Sequence, residues 1–423
     1  MPLKQDNMKP FIFFFTVLFS FTLQGQQRIT LEQCYNLLET NYPLIKQHAL
    51  LEKQNQLDSK AINNTKLPQL NLEAQATYQS DVTEVPLPNS PIEPLNKDQY
   101  RATLSINQLI YNGGLTDASL KMKASQLETK QKQIDVSMYQ LKQQINQLYF
   151  SILLTQETRL LLEAKKTQLQ TKLDEVKSGV KYGVLLPASD SVLETELLKI
   201  EQQFIEVESS RVTLIETLSN LIGQSLAESA SFEKPLIETQ LQAEINRPEL
   251  ELFQYKKQEV ENSEELIARQ NLPKLNGFAT GGYGNPGLNM LDNSFQPFYL
   301  LGLKLSWNVF DWNIKKTQRE ALAVNKDIID NETEIFKLNT SIELNKQQKE
   351  IEKISAFIAS DLKIVDLQKK VLETVDSQLK NGVITSSTYM TEFTNLFEDE
   401  NTLVRHEIQL ELAKANYNTI QGH

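Results

Sequence analysis

The chain carries its own pattern twice, and this duplication constrains the fold more than any single motif. Asn41-Tyr-Pro43 and Leu67-Pro-Gln-Leu-Asn71 return, in unchanged spacing, as Asn246-Arg-Pro248 and Leu272-Pro-Lys-Leu-Asn276. Farther on, Tyr111-Asn-Gly-Gly114 is echoed by Phe310-Asp-Trp-Asn313, and Lys181-Tyr-Gly-Val184 by Lys380-Asn-Gly-Val383. A unit of about 200 residues is too long for a solenoid repeat, so two interleaved halves are expected to make one body. The first repeat is placed at 26–235 and the second at 236–423, after a leader at 1–25.

The leader is read from Lys4 and Lys9, the apolar run Phe11 to Leu23, and a cleavage position near Gly25, which together fit a secretory signal. A run of about 13 apolar residues falls short of the roughly 20 that cross a bilayer as a helix. Cys34 is the only cysteine. It can form no internal disulfide, it lies too far beyond the apolar run to carry a lipid, and a small buried residue on the first helix is its expected role. The net charge of −11 comes from acidic and basic residues mixed along the sequence, which describes solvated helices and excludes a nucleic-acid footprint.

Thr30-Leu-Glu-Gln33 has the spacing of a capping box, and the helix it opens is expected to run to about Asn64, before Pro68. From Leu70 the residues alternate: Leu70, Leu72, Ala74, Ala76 and Tyr78 on one side, Asn71, Glu73, Gln75, Thr77 and Gln79 on the other. That is a strand with two unlike faces. Val85 to Lys97, with four prolines, reads as an exposed loop. Strands are expected at about 69–80, 99–111, 274–284 and 298–311, one pair in each half. Between Gly114 and Lys181 there is no proline, and Leu120, Leu127, Ile134, Leu141 and Leu148 recur at every seventh position, a heptad pattern. Ile351, Ile358, Val365, Leu372 and Leu379 repeat it in the run from about Lys315 to Lys380. A helix of about 67 residues reaches roughly 100 Å. Each run ends at a glycine turn, Tyr182-Gly183 or Asn381-Gly382, and returning helices are expected at about Ser189–Ile222 and Ser387–Ile420.

Strands of about 10 to 12 residues with one apolar face suit a tilted transmembrane strand, and Tyr100, Tyr111, Trp307, Phe310 and Trp312 stand near strand ends as interfacial girdles do. Alternation alone would equally describe a half-buried soluble sheet. The export signal, the excessive length of the helices and the lack of another apolar segment to cover these faces favour lipid. Two strand pairs cannot span a membrane alone, because open edges leave backbone groups unsatisfied in hydrocarbon. The chain is therefore expected to oligomerise. Two copies would give about eight strands with a filled interior, and three about twelve with room for a lumen, which fits a conduit better. The polar residues Asn71, Glu73, Gln75, Thr77, Thr103, Ser105, Lys304, Ser306 and Asn308 would line it.

Duplicated halves, paired strands, glycine-turned long helices and the Thr-Leu-Glu-Gln-Cys34 opening together resemble the TolC-type outer membrane efflux protein family, over nearly all of the mature chain. The resemblance implies a mainly α, internally duplicated fold with a small membrane β part. Four transmembrane strands per chain would contribute to a trimeric twelve-stranded β-barrel continued by a long α-helical barrel. It implies a homotrimer in outer membrane lipid, its helical part in the periplasm, docked to a periplasmic adaptor protein and an inner membrane pump. The product would be a passive export conduit of multidrug or type I secretion type. The family's tips and aperture map onto Lys181, Tyr182, Gly183, Val184 and Leu185, and onto Lys380, Asn381, Gly382, Val383, Ile384 and Thr385. Some members add an arginine and acidic residues after the second turn. Here Val383 to Tyr389 carry no charge, and Asp190 of the first half is the nearest acid, read as a solvated helix-start residue.

Gly282-Tyr-Gly-Asn-Pro-Gly287 matches the dinucleotide fingerprint letter for letter, but Pro286 and the polar residues after it make a loop where a helix must start. His48, His406 and His423 are the only histidines, and no catalytic or metal-binding arrangement surrounds them. Neither enzyme activity, nor a cofactor, nor a metal is expected. The heptads leave one alternative, an exported coiled-coil scaffold or adhesin without transport.

Overall fold

Thr30 starts the first helix by the chemistry its sequence announces: the Gln33 amide donates to its hydroxyl at 3.2 Å, and the Thr30 amide donates to the Gln33 side chain at 3.0 Å. The computed structural model describes residues 28–84, 91–239 and 244–423. The expected leader lies outside these residues, as does part of the proline-rich stretch. In chain order the elements are β1 (Arg28–Ile29), α1 (Leu31–Asn41), a 3-10 turn (Pro43–Ile45), α2 (Lys46–Asn64), β2 (Gln69–Tyr78) and β3 (Asp98–Tyr111). Then come α3 (Leu115–Lys181), α4 (Ser189–Ile222), β4 (Ser231–Phe232), α5 (Pro248–Gln270), β5 (Lys274–Asn285), β6 (Gln296–Ser306), α6 (Ile314–Lys380) and α7 (Ser386–Gln421).

The expected helix over Thr30 to Asn64 is two helices. Tyr42 precedes Pro43 and takes an extended conformation with ψ 133°, because the proline ring excludes the helical region for the residue before it. Arg247 does the same before Pro248, where α5 begins. The α3 and α6 helices contain 67 residues each, so each is about 100 Å long. Among the described residues no helix is long and apolar enough to cross a membrane.

Two hydrophobic cores lie along this body. At the waist, Cys34 and Leu38 of α1 pack with Ile145, Tyr149, Phe150 and Leu153 of α3, Ile215, Leu218 and Ile222 of α4, and Phe232 of β4. The Tyr149 hydroxyl lies 2.9 Å from the Ile29 carbonyl and 2.6 Å from that of Glu233, so it ties down the parallel pair β1 and β4. Burial pushes the Cys34 thiol up to about 12, which leaves it an inert packing residue. Toward the far end, Leu169 and Leu173 of α3, Leu193 and Ile200 of α4, Leu372 and Leu379 of α6, and Tyr389 and Phe393 of α7 form the second core. Each such side chain contributes roughly 1.5–3 kcal/mol by leaving water. The heptad positions feed these cores unevenly: Ile134, Val365, Leu372 and Leu379 are buried, whereas Leu120, Leu127, Ile351 and Ile358 are half-buried.

At the other end stands one antiparallel sheet in the order β2-β3-β5-β6. The two hairpins meet through β3 and β5, and the outer edges of β2 and β6 pair with nothing among the described residues. The fourth strand was expected to reach residue 311 but ends at Ser306. Its register explains why: Ser306 lies opposite Lys274, and before Lys274 the partner chain is Pro273, which has no amide to continue the ladder.

Candidate functional site: the two-faced sheet and the helical turns

Register places the alternating residues in rows across the sheet. On one face Leu72 lies beside Leu104, Gly281 and Tyr299, and Leu70 beside Ile106, Ala279 and Leu301. Nothing among the described residues covers them: Leu72 is 78% exposed, Tyr299 77% and Leu301 69%. On the opposite face Asn71 stands beside Ser105, Thr280 and Leu300, and Glu73 beside Thr103, Gly282 and Phe298. Gln75, Thr77, Lys304 and Ser306 share that face. Eight of the nine sequence-derived lumen residues are thus brought together. Asn308 is not, since it lies beyond the last strand.

Aromatic residues mark both ends of the apolar band. At the end away from the helices, Tyr100 and Tyr283 stack on Phe295 with centroids 6.3 and 5.6 Å apart. At the helix-proximal end stand Tyr111, Trp307, Phe310 and Trp312, all exposed. The Trp307 indole donates to the Asn271 carbonyl at 3.1 Å. Between Tyr100 and Tyr111 the strand rises about 36 Å at roughly 3.3 Å per residue. At a tilt of 35–45° that spans about 25–30 Å, the height of a transmembrane barrel's apolar belt.

Sequence reasoning missed two phenylalanines on the polar face. The Phe298 ring covers Gly282 of the neighbouring strand, and Phe278 covers Gly302; a ring laid over a strand glycine fills the space a side chain would have occupied. Arg101 sits over Phe298, 5.6 Å from its centroid. Gly282 and Gly284 lie within β5, so the dinucleotide-like string is strand first and loop only from Pro286.

At the opposite extremity the two turns meet. Gly183 and Gly382 both adopt left-handed φ, 74° and 69°. The Val184 amide donates to the Gly179 carbonyl and the Val383 amide to that of Gln378, the bond that closes a Schellman cap. A Cβ on Gly382 would lie 3.1 Å from the Val184 carbonyl oxygen, whereas one on Gly183 would meet nothing within 4 Å. The predicted tip residues divide by exposure: Tyr182, Val184 and Val383 project outward with Leu186, while Leu185 and Ile384 turn inward onto the second core. Thr385 caps α7, accepting from the Thr388 amide at 3.3 Å. Asp190 accepts from the Ser191 amide in the first turn of α4.

Charges missing from the second turn occur farther back. Lys172 of α3 pairs with Asp376 of α6 at 2.5 Å and with Glu175, and Lys380 reaches Asp376 at 3.0 Å and Glu175 at 3.9 Å. Partial burial works against the Asp376 carboxylate, but hydrogen bonds from Lys172 and Lys380 outweigh it and hold its pKa below the usual value. Burial first, and then Asp376 and Glu175, push the Tyr389 phenol up, so it stays protonated.

The outer membrane efflux protein family matches residues 34–224, which run from α1 to just past the end of α4. Over this stretch, a little under half of the chain, the sequence is similar to that family. Solved structures extend the likeness of fold to both halves. CusC superposes with a TM-score of 0.69 at 11% identity, covering 93% of this chain and 92% of its own. VceC from Vibrio cholerae gives 0.65 at 15%, covering 93% and 96%. The open state of MtrE from Neisseria gonorrhoeae gives 0.65 at 14%, covering 93% and 88%. Comparison with curated sequences finds no match. The CusC structure is described in terms of transmembrane channel formation and the MtrE structure as an outer membrane channel, and among the described residues no cluster of metal-ligating side chains occurs.

Proposed function

We propose that this chain is an outer membrane efflux conduit. Three copies close their sheets into a twelve-stranded barrel, and the long helices continue it across the periplasm. One observation carries the reading: a sheet with two unpaired edges, apolar and exposed on one side and polar on the other, stands on helices about 100 Å long. Open edges are not tolerated in hydrocarbon, so the edges of β2 and β6 must join those of other copies. Helix α6 supports this with exposed apolar residues at helical spacing, among them Ile335, Leu338 and Ile342, which suit contact with a neighbouring copy.

In this assembly the apolar face meets lipid, and the face bearing Asn71, Glu73, Gln75, Thr77, Thr103, Ser105, Lys304 and Ser306 lines water. Two repeats, 26–235 and 236–423, build each subunit after removal of residues 1–25. The turns at Gly183 and Gly382 form the inner end of the tunnel, where Tyr182, Val184 and Val383 offer an apolar surface to an adaptor and Leu185 and Ile384 hold the turns to the core. An inner membrane pump supplies the energy. The chain itself conducts passively and catalyses nothing.

Detergent extraction followed by electrophoresis with and without heating tests the assembly, and single-channel recording tests the conduit. A heat-modifiable oligomer that conducts ions is the expected result. A monodisperse monomer soluble without detergent would sink the proposal, and release by carbonate would favour a scaffold instead.

A further inference from the structure

We infer that Lys274 and Lys304 form an anion-binding collar where the helical tunnel enters the barrel, so that cargo bearing several carboxylate or phosphate groups is drawn in there; this rests on the proposed conduit. Lys274 lies opposite Ser306, and Lys304 opposite Asn276. The two ammonium groups are therefore diagonal neighbours on the inner face of adjacent strands. Like charges so placed destabilise a sheet, and neither lysine has an ion-pair partner among the described residues. Acids on the segments flanking this end have other partners: Asp117 with Lys66, Glu265 with Lys121 and Arg269, and Asp311 with the Lys315 amide.

The rest of the wall does not offset this charge. Glu73 faces Thr103 and Arg101 faces Gln75, so the other charges on this face of the four described strands are diagonal to each other and balance farther along. The opposite mouth has the reverse sign, with Asp81, Glu84, Glu93, Asp98 and Asp292 against Lys97. An anion is held at the helix-proximal end and repelled at the outer one.

The dimensions let the collar act across the whole lumen. Twelve strands about 4.8 Å apart and tilted about 40° give a backbone radius of about 12 Å. Three copies place six lysines on that circle, reaching inward to within about one Debye length of the axis, roughly 10 Å at 0.1 M salt. At 1 M the screening length is about 3 Å, and the attraction should fade.

The purified oligomer in a planar bilayer at 0.1 M KCl, with inorganic tripolyphosphate added to one side at a time, provides the test. Block is expected at lower concentration from the helical side. In the double variant Lys274→Gln/Lys304→Gln the half-blocking concentration should rise on the order of tenfold or more. Lys274→Arg/Lys304→Arg should keep the block, and Arg101→Gln should leave it in place. No block of the native channel, equal block of the double glutamine variant, or equal loss in Arg101→Gln would each overturn the collar. An oligomer that inserts but never conducts would overturn the conduit itself, and the collar with it.

Discussion

The two ends of the molecule handle apolar surface in opposite ways. At the helical tips one chain completes its own core: Leu169, Leu193, Leu379, Tyr389 and Phe393 from four helices bury one another. At the sheet, Leu70, Leu72, Leu301, Leu303 and Leu305 stay exposed and both edges are open. The difference shows which part a single chain can finish. Helices satisfy their backbone groups internally and need only a stripe of neighbours, whereas a sheet exports unsatisfied groups at its edges until it is closed.

Four experiments would break or sharpen this contrast. The largest effect is expected at the tip core, where Phe393→Ala should cost about 3–5 kcal/mol through the lost burial and the cavity left behind. Limited proteolysis should then cut near the turns, while the sheet-dependent oligomer persists on gels. A change confined to the sheet should do the reverse. Leu301→Arg places a charge on the apolar band at a cost of about 2–4 kcal/mol, so the heat-modifiable oligomer should be lost while helical content measured by circular dichroism is kept.

The turns themselves provide a finer comparison. A side chain at either left-handed glycine costs roughly 1–2 kcal/mol, but a Cβ at position 382 would also press on the Val184 carbonyl. Gly382→Ala should therefore reduce dye efflux more than Gly183→Ala, and equal effects would contradict the observed packing of one turn on the other.

The smallest effect belongs to the ion-pair network behind the turns. Asp376 has a folded-state pKa below its ordinary value. Its stabilising contribution is therefore complete above the unfolded value of about 4 and is lost as pH falls through the lower folded value. Melting of the tip region should be flat with respect to this group from neutral pH down to about 5 and fall in stronger acid. Asp376→Asn should flatten that acid limb and lower stability slightly at pH 7. An unchanged acid limb would show that the network is not coupled to tip stability.

Local patterning made much of this architecture legible in advance. The ends of α3 at Lys181 and α4 at Ile222 follow from glycine turns and periodicity, and the membership of each strand face follows from alternation, because both depend on neighbours within a few residues. The break at Tyr42 was legible too, in Pro43, but was outweighed by the helical pattern on either side. Phe278 and Phe298 interrupt the polar alternation, and their reason is found on another strand, at Gly302 and Gly282. Nothing near Val184 and Leu185 says that one points to solvent and the other to the core.

The sequence by itself therefore determined the duplication, the lengths of the helices, the positions of the turns and the two characters of each strand, since periods of 3.6 and 2 residues are written in adjacent side chains. Only the tertiary structure decided that β3 and β5 join the two hairpins, that both outer edges stay open, and that Lys172 and Asp376 meet across two helices. Those outcomes depend on which distant segments pack together, and that choice is made by the summed burial of whole faces rather than by any local run of residues.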